Sequence, residues 1–289
     1  MARGASLAVS AALALTACSA AVSGSTDRPD PEVTATQPLP GPEDADEGGT
    51  RAPSADEEQP SSDTGEPDGP LSDMTVVIDP GHNGGNAEAG EKISRSVPAG
   101  PQEKECDTVG AETGDGYAEH EFTWDFSKRL RDHLEAEGAS VILTRDDNES
   151  VGPCINERAE IGNEAAADAA ISIHADGSSS DVRGFHVIAP GMVDGYTDDI
   201  VEPSRQLAED VRDEFHKGSG HPYSDYLGDE GIDQRTDLGG LNMSDVPKVF
   251  LEVGNMRNAD DAENIRDKDW RERASGAAAN GIARYLSRG

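Results

Sequence analysis

Four residues of this chain are of types that combine into hydrolytic chemistry, and each stands where a backbone element is expected to begin or end. His82 follows the apolar run Val76-Val77-Ile78 through Asp79-Pro80-Gly81, and His174 closes the run Ile171-Ser172-Ile173. Glu119 sits just before an amphipathic segment in Y-A-E-H-E-F-T-W, and Glu252 lies inside the apolar run V-F-L-E-V-G-N. Two imidazoles and one carboxylate form the ligand set of a hydrolytic zinc ion, which keeps its fourth position open for water. A carboxylate within an apolar strand is costly to bury unless it is paired or employed; beside such an ion, Glu252 would serve as general base. The plain alternatives are structural: a strand-end histidine held by hydrogen bonds, and a glutamate salt-bridged to an arginine such as Arg235. Taken singly, no one of the four decides between these readings.

The elements that must position these residues can be read from hydrophobic periodicity. Short apolar runs alternate with longer amphipathic ones from Met74 onward, which predicts a single α/β domain: a mainly parallel, twisted sheet flanked by helices. The expected strands are Thr75–Asp79, Ser140–Thr144, Ala169–His174, Gly184–Ala189 and Lys248–Val253. Phe122, Phe126, Leu130 and Leu134 recur every four positions as one helical stripe with Gly138 as its stop. Further helices are expected over Asn156–Ala167, Ser204–His216 and Asp267–Ser287. Ala87–Tyr117 shows no sustained period and reads as a long loop, of the kind that usually has a function or is disordered. In an open α/β sheet, ligands gather beyond the carboxyl ends of the strands, where both histidines are expected.

The first 18 residues carry a single charge, Arg3, followed by a small and Leu-rich run too short to span a bilayer as a mature helix. They read as an export signal. Its end, Leu15-Thr16-Ala17-Cys18, resembles the lipobox of bacterial lipoproteins, in which the cysteine is lipidated and becomes the new N-terminus. The alternative is an ordinary signal cut near Ala20. With Cys18 lipidated, Cys106 and Cys154 remain of the 3 cysteines and form a natural pair in an oxidising compartment, the alternative being two buried thiols.

Residues 19–72 are rich in Pro, Asp, Glu, Ser, Thr and Gly and cannot offset the entropy of ordering, so a disordered acidic linker is expected before a folded part at 73–289. Prolines and like charges should extend it beyond the roughly 40 Å of a flexible coil of this length. The formal net charge of −34 makes nucleic acid an unsuitable partner, because phosphate binding needs clustered Lys and Arg.

Four stretches carry a resemblance: D-P-G-H-N-G-G; E-H-E-F-T-W-D-F-S-K-R-L with L-T-R-D after it; N-E-R-A-E-I-G-N-E-A-A-A-D-A-A-I-S-I-H-A-D; and V-F-L-E-V-G-N-M. In this order over Met74–Gly289 they resemble the zinc-dependent N-acetylmuramoyl-L-alanine amidases of the type 3 amidase family, in particular compact actinobacterial members consisting of a catalytic domain alone. The resemblance implies zinc ligands at His82, Glu119 and His174, a catalytic glutamate at Glu252, and Asp79 as an orienting partner of His82. Glu119 is preferred over Glu121 because the family's glutamate stands three residues before the first core apolar position, here Phe122. The remaining histidines match no family ligand and read as surface or structural residues. Compact relatives carry a cysteine pair in the corresponding loops, in line with a Cys106–Cys154 bridge.

The reaction implied is hydrolysis of the amide between N-acetylmuramic acid and L-alanine in peptidoglycan or its soluble fragments. The protein would be a monomer, lipid-anchored at the outer face of the cytoplasmic membrane. Rival readings are a catalytically silent wall-binding lipoprotein and a zinc peptidase cutting within the stem peptide.

Overall fold

The computed structural model describes residues 69–288; the expected signal segment, Cys18 and the linker through residue 68 lie outside the described residues. Eight strands and seven helices follow one another among the described residues. They are β1 (Thr75–Pro80), α1 (Gly90–Ile93), β2 (Ser96–Pro98), β3 (Glu103–Glu105), α2 (Glu119–Ala136), β4 (Ser140–Leu143), α3 (Ile155–Glu164) and β5 (Ala169–Asp176). Next come β6 (His186–Pro190), α4 (Val201–Ser219), β7 (Ile232–Arg235), α5 (Gly239–Asn242), β8 (Lys248–Asn255), α6 (Ala259–Arg266) and α7 (Lys268–Leu286). Six strands form one sheet in the order β4-β1-β5-β8-β6-β7, and β2 and β3 pair as a separate antiparallel hairpin. Every pairing in the large sheet is parallel except β6 with β8.

The alternation of each strand divides the sheet into an apolar face and a chemical one. Val76 and Ile78 of β1, Ile171 and Ile173 of β5 and Val249, Leu251 and Val253 of β8 are buried in the main core with α2, α4 and α7. Phe122, Phe126, Leu130 and Leu134 of α2 are completely buried there, each side chain contributing about 1.5–3 kcal/mol. Successive strand residues point to opposite faces, so the register carries the intervening residues to the other side. Asp79 lies opposite Ser172, Ser172 opposite Phe250, His174 opposite Glu252, and Glu252 opposite His186. That face meets α3 and α5.

The expected strands and the helix stripe are present, with instructive differences. The stretch 69–72, assigned by composition to the linker, belongs to the fold: Leu71 is 1% exposed and its N–H donates to the Glu137 carbonyl (2.9 Å). One leucine in a polar tract gives no periodicity, yet a slot beside the α2–β4 turn takes it. Helix α4 begins at Val201 rather than Ser204, because Pro203 is tolerated within a helix's first turn. Strand β5 continues past His174 to Asp176, with an irregular register between them, so His174 lies within the strand. Glu119 is the first residue of α2 rather than a residue preceding it. The polar edge strand β7, the β2–β3 hairpin inside the expected loop, and α6 carry no strong apolar period and were not expected.

Candidate metal centre

The turn after β1 delivers His82 in an unusual backbone state. His82 has φ 60°, the left-handed region that few residues without a glycine's freedom adopt. Gly81 before it lets the rings close up: a Cβ there would stand 2.3 Å from Cε1 of His174. Gly110 plays the same part from the loop, where a Cβ would come within 2.8 Å of His82 and 2.9 Å of Glu119. The two imidazoles meet edge to face with centroids 4.9 Å apart.

Glu119 completes the cluster. At the start of α2 its buried carboxylate accepts the N–H groups of Ala111 (2.7 Å) and Ala175 (3.1 Å). Its Oε2 lies 3.2 Å from Nε2 of His82 and its Oε1 3.0 Å from Nδ1 of His174. Donors at tetrahedral corners around an ion with bonds of about 2.0–2.1 Å are separated by about 3.3 Å. Ligand atoms of His82, Glu119 and His174 all lie within 4.8 Å of one another and could hold a metal ion. The donor set and the glycine-lined cradle fit such an ion. Glu121 turns away and accepts from the N–H of Ala118 (3.4 Å), while His120 contacts Asn148 (3.1 Å).

Electrostatics agree with a cation-seeking site. Burial disfavours the charge on Glu119, but His82 and His174 overcome it and hold the carboxyl well below the usual range. Burial also opposes protonation of His82, yet Glu119 and Asp107 raise its pKa to about 10. Glu252 goes the other way: burial first, then Glu119 and Asp176, push its carboxyl well above the ordinary value.

Asp79 does not touch His82, contrary to the expectation. Its carboxylate accepts from Thr144 (2.7 Å), Arg158 (2.7 Å) and Ser172 (2.9 Å), with Nζ of Lys248 at 3.5 Å. A strand side chain projects from the sheet face, whereas His82 lies beyond the turn, so the two diverge. The group beside Nδ1 of His82 is Asp107 (3.4 Å), together with the Thr108 carbonyl (3.1 Å). Arg158 joins the two aspartates: it binds Asp79, reaches Asp107 (3.2 Å) and also donates to the carbonyls of Pro80 (2.9 Å) and His82 (3.2 Å). A bridge between Cys106 and Cys154, Cα atoms 4.5 Å apart, fastens Asp107's loop to the start of α3, which carries Arg158. The signal for Asp107 in the sequence is its place directly after a cysteine.

Glu252 is partly buried, and its Oε2 has no hydrogen-bond partner. Arg235 is not its salt-bridge partner, because its Nε and Nη2 fork onto Asp237 (2.8 and 2.7 Å). The centre stands between two cavities. One of about 370 Å³ runs under the hairpin past Lys104, Ile155, Arg158 and Gly239; the other, about 320 Å³, contains Glu119, Asp176, Arg235 and Glu252. His82, His174 and Phe250 line both, and Phe250 stacks on His174 with centroids 5.3 Å apart. Of the other histidines, His133 pairs with Glu272 (3.2 Å), Nδ1 of His216 donates to the His221 carbonyl (2.8 Å), and His221 faces Asp261 (3.3 Å). His186, read as surface or structural, is buried on the site face beside Glu252.

Known proteins share this arrangement of elements. The chain is 38% identical over 222 residues to the N-acetylmuramoyl-L-alanine amidase Rv3717 of Mycobacterium tuberculosis, covering 75% of this chain and 88% of the relative. Among solved structures, Ami1 of Mycobacterium smegmatis superposes with a TM-score of 0.71 at 38% identity, covering 76% of this chain and 99% of that one. The apo form of Ami1 from Mycobacterium abscessus gives 0.70 at 38% identity, covering 75% and 100%. Residues 76–284 match the family model described as N-acetylmuramoyl-L-alanine amidase, a span that runs from β1 into the last turn of α7 and holds the whole cleft, and the chain belongs to the N-acetylmuramoyl-L-alanine amidase family.

Proposed function

We propose that the protein hydrolyses the amide between the lactyl group of N-acetylmuramic acid and L-alanine, in peptidoglycan or its soluble fragments, with zinc held by His82, Glu119 and His174 and with Glu252 as general base. The observation that carries this reading is the register: Glu252 lies directly opposite His174 and faces the cavity that contains Glu119. Bound by the three donors, zinc would supply a Lewis acid that polarises the carbonyl and lowers the pKa of a water.

The chain's own residues account for the remaining steps. The backbone N–H groups of Ala111 and Ala175 fix the Glu119 carboxylate, and the Thr108 carbonyl and Asp107 fix the tautomer and orientation of His82. Glu252 accepts a proton from the attacking water as its oxygen bonds to the carbonyl carbon. The high proton affinity that burial, Glu119 and Asp176 give Glu252 lets it keep that proton and pass it to the departing amine as the C–N bond breaks. No covalent intermediate is needed. Phe250, stacked on His174, narrows the water-accessible space at the centre.

We also propose that Cys18 carries lipid, that the acidic linker tethers a monomeric catalytic domain at the outer face of the cytoplasmic membrane, and that nucleic acid is not a partner. The Cys106–Cys154 bridge is in keeping with an oxidising compartment, and among the described residues no helix is long and apolar enough to cross a membrane. The test is mass spectrometry of products from a muramyl peptide incubated with the zinc-loaded protein and with its Glu252→Gln variant. Free peptide beginning at L-alanine, lost in the variant, is expected. A shortened stem peptide would make the protein a peptidase, and intact substrate with zinc bound would make it a silent binding protein.

A further inference from the structure

Glu252 has a second imidazole on its other side. His186 opens β6 directly opposite Glu252 in the antiparallel pair, so β5, β8 and β6 present His174, Glu252 and His186 as a row on one face. Side chains opposed in this way have Cβ atoms about 4.5–5.5 Å apart. His186 is 1% exposed, and its ring stands edge-on to Tyr226 with centroids 6.2 Å apart. Its Nδ1 is buried without a hydrogen-bond partner, and so is Oε2 of Glu252. A buried group without a partner has lost its water and gained nothing in return, so one molecule bonded to both atoms would satisfy both.

Three polar neighbours, Tyr226, Asp176 and Arg235, are engaged elsewhere. The Tyr226 hydroxyl donates to Oδ2 of Asp176 (3.0 Å), and Oδ1 of Asp176 accepts from Gly177 N–H (2.8 Å). Arg235 is committed to Asp237. Burial holds the His186 pKa below its ordinary value, outweighing Asp176 and Asp233, which favours the neutral ring, a form with one N–H to give. No direct hydrogen bond joins His186 to Glu252, and polar groups set farther apart than a hydrogen bond are commonly bridged by water at little cost.

We propose that His186 is a positioning residue for Glu252: its Nδ1–H donates to one buried water, which donates to Oε2, leaving Oε1 turned to the attacking water. This rests on Glu252 being the general base. His186 itself touches neither substrate nor metal; it restricts the carboxylate to the rotamer that can take and return a proton.

Three substitutions separate this role from packing. An asparagine amide falls near the place of Nδ1, a glutamine amide near the place of Nε2, and leucine has neither. In the zinc-loaded full chain, His186→Leu and His186→Gln should lower kcat by about tenfold to a hundredfold, with KM and zinc content unchanged. His186→Asn should restore most of kcat although it leaves the larger hole. A kcat that follows volume, with Gln above Asn, or an unimpaired Leu variant, would overturn the inference. A high-resolution crystal structure of the zinc-loaded protein gives a readout independent of turnover: a water within hydrogen-bond reach of both Nδ1 and Oε2 is expected, absent in His186→Leu. Without that water in the wild type the inference fails. Should the wild type release no peptide beginning at L-alanine, the functional reading fails instead, and the crystallographic arm still decides the role of His186.

Discussion

Replacing Arg158 by methionine removes a cation that binds both buried aspartates behind the site. Its guanidinium is 4% exposed and contacts Asp79 (2.7 Å) and Asp107 (3.2 Å) as well as the carbonyls of Pro80, His82 and Pro153. Breaking a buried pair by removing one partner costs about 3–5 kcal/mol. At about 2–4 °C per kcal/mol for a domain of this size, Tm should fall by about 6–20 °C. Asp79 keeps Lys248, Thr144 and Ser172, so the loss should fall chiefly on Asp107, left with His82 (3.4 Å), Asn83 (3.0 Å) and the Thr108 N–H (2.7 Å). Since Asp107 holds His82, metal affinity should drop by about 10–100-fold.

The acid limb gives a second sign of the same variant. Burial would raise the Asp79 carboxyl, but Lys248 and Arg158 hold it well below the usual range. An unfolded aspartate titrates near about 3.9, so the stabilisation is complete above that pH and is lost as pH falls below it. Arg158→Met brings the folded and unfolded values closer, and its stability should decline less steeply below about pH 4. Urea unfolding at several pH values, with zinc titration at neutral pH, measures both. A loss under about 1 kcal/mol, the size of an exposed pair, or an Arg158→Met/Asp79→Asn double variant that costs the sum of its singles, would refute a coupled buried network.

Chelator treatment should abolish turnover, and added zinc should restore it; Glu119→Ala should lose bound zinc while Glu121→Ala retains it, as read by elemental analysis. Glu252→Gln should lower kcat by about 10²–10⁴-fold with zinc content unchanged. Opening the Cys106–Cys154 bridge, whose ends are 48 residues apart, should cost about 4 kcal/mol in the chain-entropy account and loosen zinc by freeing Asp107, seen by unfolding with and without reductant. Leu71→Ala should destabilise by about 2–5 kcal/mol, whereas a true linker residue would be neutral in the same urea titration.

What was legible in the sequence is whatever depends on short range. Val76 and Ile78 against Val77 and Asp79 state the two faces of β1 within five residues, and the four apolar positions of α2 state which side meets the sheet. The start of α7 at Asp267, whose side chain accepts from Asp269 N–H (2.8 Å), is equally local. What escaped depends on partners far apart in the chain. Strand β7 is polar and is placed by pairing with β6, and nothing in the segment from His186 to Pro190 announces that it runs against β8 while every other pair in the large sheet runs parallel. That reversal matters for the chemistry. A parallel β6 would present its C-terminal end, not His186, to the edge where Glu252 stands. Asp79 is the complementary case: its residue type signalled a task, but the distance of the task did not show, because Arg158 reaches it from 79 residues away and links it to Asp107, itself 51 residues from Arg158. An aspartate that ends a strand therefore reports that charge is managed there, and only the register of the neighbouring strands says whose charge it is.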